Sequence, residues 1–349
     1  MIKPTFKPDK ELEALLEQSK KKGLKFGLAL GSGSARGMAH IGVIETLEAY
    51  HIPIDMIAGT SMGALIGSIY ASGVPIKKIK RIAMQVKKRA PFIIFDPTLP
   101  FSGLVSGKRI DEMLEKIALK NKSFSDLKIP FAAISTDLTS GAKVILNQGS
   151  VLKAVRASIS IPGIFIPVKY QERYLVDGGI VDPVPVDVVE KMGADFIMAV
   201  SLSNRNPRPL IMMIDQETGG LNEVNSSNRI RLNLEELSKL KDAKKIASLV
   251  EKEVATLGQK ITGVKKKFEG PHLIEIISKS LDIMEREIAS LRLNKADVVI
   301  IPNEIEKIGL FEFDKTDQCI KAGQAATLTL LPQIKQAIKK KLKQKAKSK

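Results

Sequence analysis

The chain has 349 residues, 44% of them hydrophobic, enough to bury a sizeable core as two domains or as one large α/β domain with an insertion. A single cysteine, Cys319, excludes an intrachain disulfide and leaves the cytoplasm as the default compartment; the charged N-terminus and the lack of any run of 18 apolar residues predict neither signal peptide nor transmembrane helix. The formal charge is +17, and residues 331–349 supply +8 of it through eight lysines and no acid.

Residues 1–23 read as a helical extension ahead of a core that begins at residue 24. KFGLAL (25–30) is a short buried strand running into the glycine-rich GSGSARG, and MAHIGVIETLEAY follows at helical spacing. IDMIAG (54–59) is a second short strand, and SMGALIGSIYASG a second helix that ends at Gly73 before Pro75. PFAAISTDL (130–138), ADFIMAVSL (194–202) and ADVVIIP (296–302) are near-continuous apolar runs, the pattern of strands covered on both faces. Helical stretches separate most of them, which predicts an α/β/α sandwich of three layers around a mostly parallel sheet.

Two regions break the rhythm. KKRAPFIIFDPTLPFSGLVSGKRI (87–110) reads as a long apolar loop, either a buried connection or the wall of an acyl site. Residues 204–270, polar and then rich in lysine and glutamate at helical spacing, read as an insertion that separates the core, 24–203, from its closing helix and strand in 271–330. In the tail, Ile334, Ile338 and Leu342 lie at i, i+4 and i+8, so a helix there is a basic cylinder with one apolar stripe. Attraction to an anionic membrane surface and a solvated, frayed helix both fit that profile. Nucleic acid does not fit, because aromatics are 5% of the chain and none interleave with the tail lysines.

The chemistry centres on AGTSMGALIG (58–67), where Gly59 and Gly63 frame Ser61 in the G-x-S-x-G pattern of a nucleophile on a sharp strand-to-helix turn. The first glycine-rich loop aims backbone N–H groups at an anion. It fails as a P-loop because it ends Ala35-Arg36-Gly37, and as a dinucleotide fingerprint because Arg36 stands at the sixth position counted from Gly31. The same geometry serves as an oxyanion hole if a nucleophile is near.

A serine needs a base, and the three histidines are badly placed. His40 lies within the first helix, His51 ends it, and His272 opens a later amphipathic helix carrying Leu273, Ile277, Leu281, Met284 and Ile288 along one face. RYLVDGGIVDPVP (173–185) offers a carboxylate instead. Asp177 follows a short apolar stretch and precedes Gly178 and Gly179, so the chain can turn beside an exposed acid. Asp182, ahead of Pro183, reads as the N-cap of the helix in DPVPVDVVEK. An aspartate of ordinary pKa, about 3.9, is a weak base, so such a dyad leans on an oxyanion hole whose donors are each worth roughly 3–4 kcal/mol.

Three ordered motifs, GSGSARG, Gly59-Thr60-Ser61-Met62-Gly63 and Asp177-Gly178-Gly179, resemble the patatin-like phospholipases, particularly bacterial members related to the neuropathy target esterase catalytic domain. The flanking GMAHIGVIETLE and ASISIPGIFIPV are similar too, so the resemblance spans about residues 24–203, with 296–326 resembling the closing strand and helix. It implies a lipid acyl-ester hydrolase with Ser61 as nucleophile, Asp177 as base, and the backbone of Gly33, Ser34 and Ala35 as oxyanion hole. Arg36 would support that loop, contact a headgroup or form a plain ion pair. No metal or cofactor is implied, and the substrate would be a phospholipid or another acyl ester. The chain departs from the family in one respect: Ser32 and Ser34 stand where glycines are common, which restricts positive φ and admits a second reading as a catalytically idle lipid-binding or regulatory module.

Overall fold

The computed structural model describes residues 6–94, 105–203, 211–214, 221–224 and 273–347. Two compact units partition the chain: residues 1–206 with 273–349, and residues 207–272. In the first unit α1 (Lys10–Lys21), β1 (Phe26–Leu30), α2 (Ala39–Ala49), β2 (Met56–Thr60), α3 (Met62–Ala71), α4 (Ile76–Ile94) and α5 (Lys108–Leu114) lead into β3 (Phe131–Asp137) and β4 (Lys143–Leu146). There follow α6 (Val151–Ser158), β5 (Val168–Tyr170), β6 (Arg173–Asp177), α7 (Val186–Lys191) and β7 (Phe196–Val200). The second unit is described only as an antiparallel hairpin, β8 (Ile211–Ile214) with β9 (Leu221–Val224). Where the sequence predicts a helical insertion, this described part is strand; the remainder, with His272, lies outside the described residues. The first unit then resumes with α8 (Leu273–Arg292), β10 (Val298–Ile300), α9 (Thr316–Thr329) and α10 (Leu331–Lys347).

The central sheet has eight strands in the order β10-β7-β1-β2-β3-β6-β5, with β4 also on β3. The five from β10 to β3 are parallel, and β4, β5 and β6 add antiparallel pairs at one side. All five strands read from apolar runs are present. Alternation explains why those runs are continuous. Leu28, Leu30, Met198 and Val200 join one core cluster, whereas Ala29, Ile197 and Ala199 join the other, so both faces are buried. α7 and the end of α8 cover the second face through Val186, Val188, Val189, Ala289 and Leu293. The larger cluster, with α2, α3, α9 and α10, covers the first. α2 and α9 meet backbone to backbone, since a Cβ at Gly42 or Gly323 would overlap the carbonyl of Ile320 or Ala39.

Two readings are corrected. Residues 87–94 continue α4 and residues 108–110 open α5, so helices flank the segment read as one long loop; residues 95–104 lie outside the described residues. The basic tail is neither frayed nor presenting its stripe to a membrane: Ile334 and Ile338 are fully buried and Leu342 nearly so, within the main core. Its lysines find acids on the body of the protein. Lys335 pairs with Asp9 at 2.9 Å and Glu11 at 2.8 Å, Lys341 with Asp297 at 3.1 Å, and Lys345 with Asp195 at 2.8 Å. Among the described residues no helix is long and apolar enough to cross a membrane.

The apolar stripe of the tail is therefore part of the core. Replacing Ile338 by Ala is expected to lower the unfolding free energy by about 2–5 kcal/mol, read from the urea midpoint at constant slope. An unchanged midpoint would show that the stripe is not packed.

Candidate active site

The parallel pairing of β1 with β2 sets Leu30 opposite Gly59, so the glycine-rich loop and the G-x-S-x-G turn leave the sheet side by side. Ser61 occupies φ 54, ψ −119, a strained conformation for a residue with a side chain, between the last residue of β2 and the first of α3. A Cβ on Gly63 would overlap the Leu30 carbonyl, and one on Gly59 would lie 2.5 Å from the Gly63 backbone, so the turn closes only with glycine at both places. The antiparallel pairing of β3 with β6 sets Asp177 opposite Ser135 and brings the 173–185 segment to the same end of the sheet.

Ser61 Oγ donates to Asp177 Oδ2 at 2.6 Å, across 116 residues of sequence. Asp177 Oδ1 accepts from the Gly179 N–H at 2.8 Å, which is what the Gly178-Gly179 turn provides. Both side chains are buried, at 4% and 3% exposure. Burial pushes the Asp177 carboxyl well above the usual carboxylate range, and the hydrogen bonds from Ser61 and Gly179 only partly oppose that shift.

The glycine-rich loop lies beside this pair. Gly33 has φ 154, and a Cβ there would press on the Leu202 side chain. Ser34 adopts φ 48, so serine takes the left-handed conformation at this position of the loop. One expected donor is corrected: the Ala35 N–H is committed to the Leu310 carbonyl at 2.9 Å, which leaves the Gly33 and Ser34 N–H groups as the candidates for an oxyanion. Arg36 is 7% exposed; its Nε donates to the Ile308 carbonyl at 2.7 Å and its Nη1 pairs with Asp282 at 2.9 Å. It ties the loop to α8 and to the 303–313 segment and is in no position to reach a headgroup.

His40 donates from Nε2 to the Gly31 carbonyl at 2.8 Å. Burial pushes its pKa down to about 4, so it braces the loop as a neutral ring. His51 sits past α2 at φ 55, exposed. Asp182 is not an N-cap: α7 starts four residues later behind Pro185, with no side-chain cap. Its buried carboxylate pairs with Lys143 at 2.9 Å, its carbonyl accepts from Thr60 Oγ1 at 2.8 Å, and burial pushes its pKa up to about 6.

Sequence reasoning missed the groups that hold the pair. Ser158 Oγ accepts from the Ser61 N–H at 2.9 Å and donates to the Ile134 carbonyl at 2.5 Å. The Ser160 carbonyl accepts from the Asp177 N–H at 2.9 Å, while Arg156 donates to Ser160 Oγ at 2.7 Å. Thr136 Oγ1 donates to the Asp177 carbonyl at 2.8 Å. Glu285 on α8 lines the same cavity as Ser61 and Asp177 and was also missed, because the helix was read only for its apolar stripe, of which Leu281 lines this cavity too. Ile283 and Met284 are 60% and 48% exposed, whereas Ser278 is buried and Asp282 and Glu285 turn inward.

Ser61 stands where two cavities meet. One is lined almost wholly by apolar side chains, among them Ile69 of α3, Ile79 and Ala83 of α4, Ile110 of α5 and Phe165. The other is the more polar of the two, lined by Ser32, Asp177, Asp282 and Glu285 alongside Ile161, Ile180, Leu281 and Leu310. Residues 28–189, which contain every motif just described, match the family model for patatin-like phospholipases. The chain carries a patatin-like phospholipase domain.

Relatives of this patatin-like domain share its core. An uncharacterized NTE family protein of Mycobacterium tuberculosis is 37% identical over 185 residues, covering 53% of this chain and 51% of that one. Lysophospholipase NTE1 of Scheffersomyces stipitis is 34% identical over 52% of this chain and 12% of its own length. Human patatin-like phospholipase domain-containing protein 6 is 30% identical over 56% of this chain and 15% of its own. The patatin-like chain thus spans about half of the mycobacterial relative and a small part of the other two.

The serine at 158 is the most telling support. Ser158→Ala leaves the Ser61 N–H and the Ile134 carbonyl without a partner in a dry site, so stability is expected to fall by about 1–3 kcal/mol. Chemical denaturation measures that loss, and the rate at which a fluorophosphonate labels Ser61 should fall with it.

Proposed function

We propose that the chain is a serine hydrolase of lipid acyl esters, with Ser61 as nucleophile and Asp177 as its base. The observation that carries this reading is the 2.6 Å hydrogen bond from Ser61 Oγ to Asp177 Oδ2 at the meeting point of an apolar and a polar cavity. As Oγ attacks the ester carbonyl, its proton passes to Asp177, and the Gly33 and Ser34 N–H groups receive the negative charge of the tetrahedral intermediate. Collapse breaks the bond to the alcohol, which takes the proton from Asp177. Water, deprotonated by the same carboxylate, then hydrolyses the acyl-serine and restores Ser61. Burial of Asp177 favours this chemistry, because each unit by which its pKa rises is worth about 1.4 kcal/mol of proton affinity.

The apolar lining of the first cavity suits an acyl chain, and mono-acyl lipids such as lysophospholipids are the substrates we favour. The yeast relative, lysophospholipase NTE1, is similar over the same core.

Ser61→Ala and Asp177→Asn, each shown to be folded, are expected to lower kcat for a p-nitrophenyl ester by roughly a thousandfold or more. Near wild-type turnover in either would overturn the assignment. The reaction needs Asp177 ionised, and its pKa is raised, so kcat/KM should fall with decreasing pH along a limb lying well above about 3.9, where an exposed aspartate titrates. Ile69 lines the apolar cavity eight residues beyond Ser61 on α3, about 12 Å along the helix. Ile69→Phe is expected to depress hydrolysis of p-nitrophenyl palmitate at least tenfold relative to the butyrate, and an equal effect on both would place the acyl chain elsewhere.

A further inference from the structure

Ser32 has an ordinary backbone conformation, so no steric rule demands glycine there, and its hydroxyl has a specific partner: it donates to Glu285 Oε2 at 2.7 Å. Glu285 reaches in from α8, 253 residues away in sequence. Its other oxygen lies against Gly179, where any Cβ would overlap it, so the same carboxyl touches both the glycine-rich loop and the turn that orients Asp177. One turn earlier on α8, Asp282 holds Arg36, and α8 thereby grips the loop at two points.

We propose that Glu285 is a positioning residue of the Ser61–Asp177 pair, a neutral acid wedged between the loop and the Asp177 turn that holds Ser32 in place and shuts the site down when it ionises. The inference rests on the reading of Ser61 and Asp177 as the catalytic pair.

The charged and titratable groups around Glu285 are Asp177 from the end of β6, Arg36 from the loop, and Asp282 on its own helix. Arg286, also on α8, pairs with Asp282 at 3.2 Å. Arg36 and Arg286 are thus both engaged by Asp282, and neither is ion-paired to Glu285 among the described residues. Burial first, and then the Asp177 charge, push the Glu285 carboxyl above the usual range, while the Ser32 hydroxyl opposes the shift. Asp177 accepts two hydrogen bonds, from Ser61 and Gly179, and Glu285 accepts one from Ser32. Asp177 therefore ionises first, and two carboxyls in one buried site resist carrying a second charge. In the working state the base is ionised and Glu285 keeps its proton. Loss of that proton sets a negative charge beside the loop whose N–H groups must receive an oxyanion, where low dielectric magnifies the repulsion.

The pH dependence of kcat/KM and of fluorophosphonate labelling at Ser61 tests this in wild type, Glu285→Gln, Ser32→Ala and Ser61→Ala, each checked for folding by circular dichroism. The wild-type profile is expected to be bell-shaped, with at least a tenfold fall on its alkaline side. Glu285→Gln, which cannot ionise, should lose the alkaline fall whatever its plateau rate. Ser32→Ala removes the hydrogen bond that favours the carboxylate and should move the fall upward by about one pH unit. Hydrolysis that depends on Ser61 but keeps the same alkaline fall in Glu285→Gln would overturn the role of Glu285 alone. Hydrolysis that survives Ser61→Ala, or an intact protein with neither turnover nor labelling, would overturn the catalytic reading and this inference with it. Should Glu285→Gln not fold, an unmoved fall in Ser32→Ala would be decisive against it.

Discussion

A buried serine and a buried aspartate that must meet at hydrogen-bond distance impose the strictest constraint on this protein. Neither side chain is stable alone in a dry site, and each satisfies the other. The sheet arranges the meeting. Ser61 arrives from β2 in the parallel part and Asp177 from β6 in the antiparallel part, and β3 joins the two by pairing with both. The segment after α6 then fastens each of them separately, Ser158 on the Ser61 amide and Ser160 on the Asp177 amide. The mixed character of the sheet follows from function as much as from packing, since a strand parallel to β3 at this position would deliver its end to the opposite edge.

The outer helices matter because the loop opposite the pair has few contacts of its own with the sheet. Gly31 and Ser32 are held by the carbonyls of Val200 and Pro183, Ala35 by that of Leu310, and Arg36 by Asp282 and Ile308. His40 accounts for one more anchor at Gly31. Elements from residue 282 onward therefore shape a site whose chemical groups all lie before residue 180. α9, locked on α2 through Gly42 and Gly323, fixes the helix that follows the loop. α10 closes the far side against α1 with buried isoleucines and with lysines that meet acids.

What the sequence made legible and what it hid divide along a physical line. Ser61 was legible because its turn needs glycines at both ends, a local demand. Asp177 was legible because no histidine stood at a strand end and the two glycines after it mark a turn. Asp182 misled, since an acid before proline is a good cap by local rules, yet Pro185 delays α7 and Lys143 from another strand claims the carboxylate. The tail stripe was read correctly as apolar, but nothing local shows that it packs in the main core, nor that lysines beside it meet acids at 9, 11, 195 and 297. Glu285 was hidden for the same reason in reverse. Its helix turns Ser278, Asp282 and Glu285 inward beside Leu281, and an apolar stripe read by periodicity gives no sign of the acids next to it.

The two cavities also give the proposed reaction a direction. Ser61 borders both, whereas Asp177 borders only the polar one, on the side of Ser32 and Glu285. In the proposed reaction the leaving alcohol must receive its proton from Asp177, so it must depart into the polar cavity, and the acyl chain is left to lie in the apolar one. An ester bound the other way round would put its leaving oxygen among Ile79, Ala83 and Ile110, with no acid to protonate it and no polar group to hold its hydroxyl. Attack would then yield an alkoxide in an apolar wall, a charge that site cannot stabilise. The orientation is therefore a consequence of where the base sits, and headgroup size is limited on the α8 side while chain length is limited by the helices α3, α4 and α5.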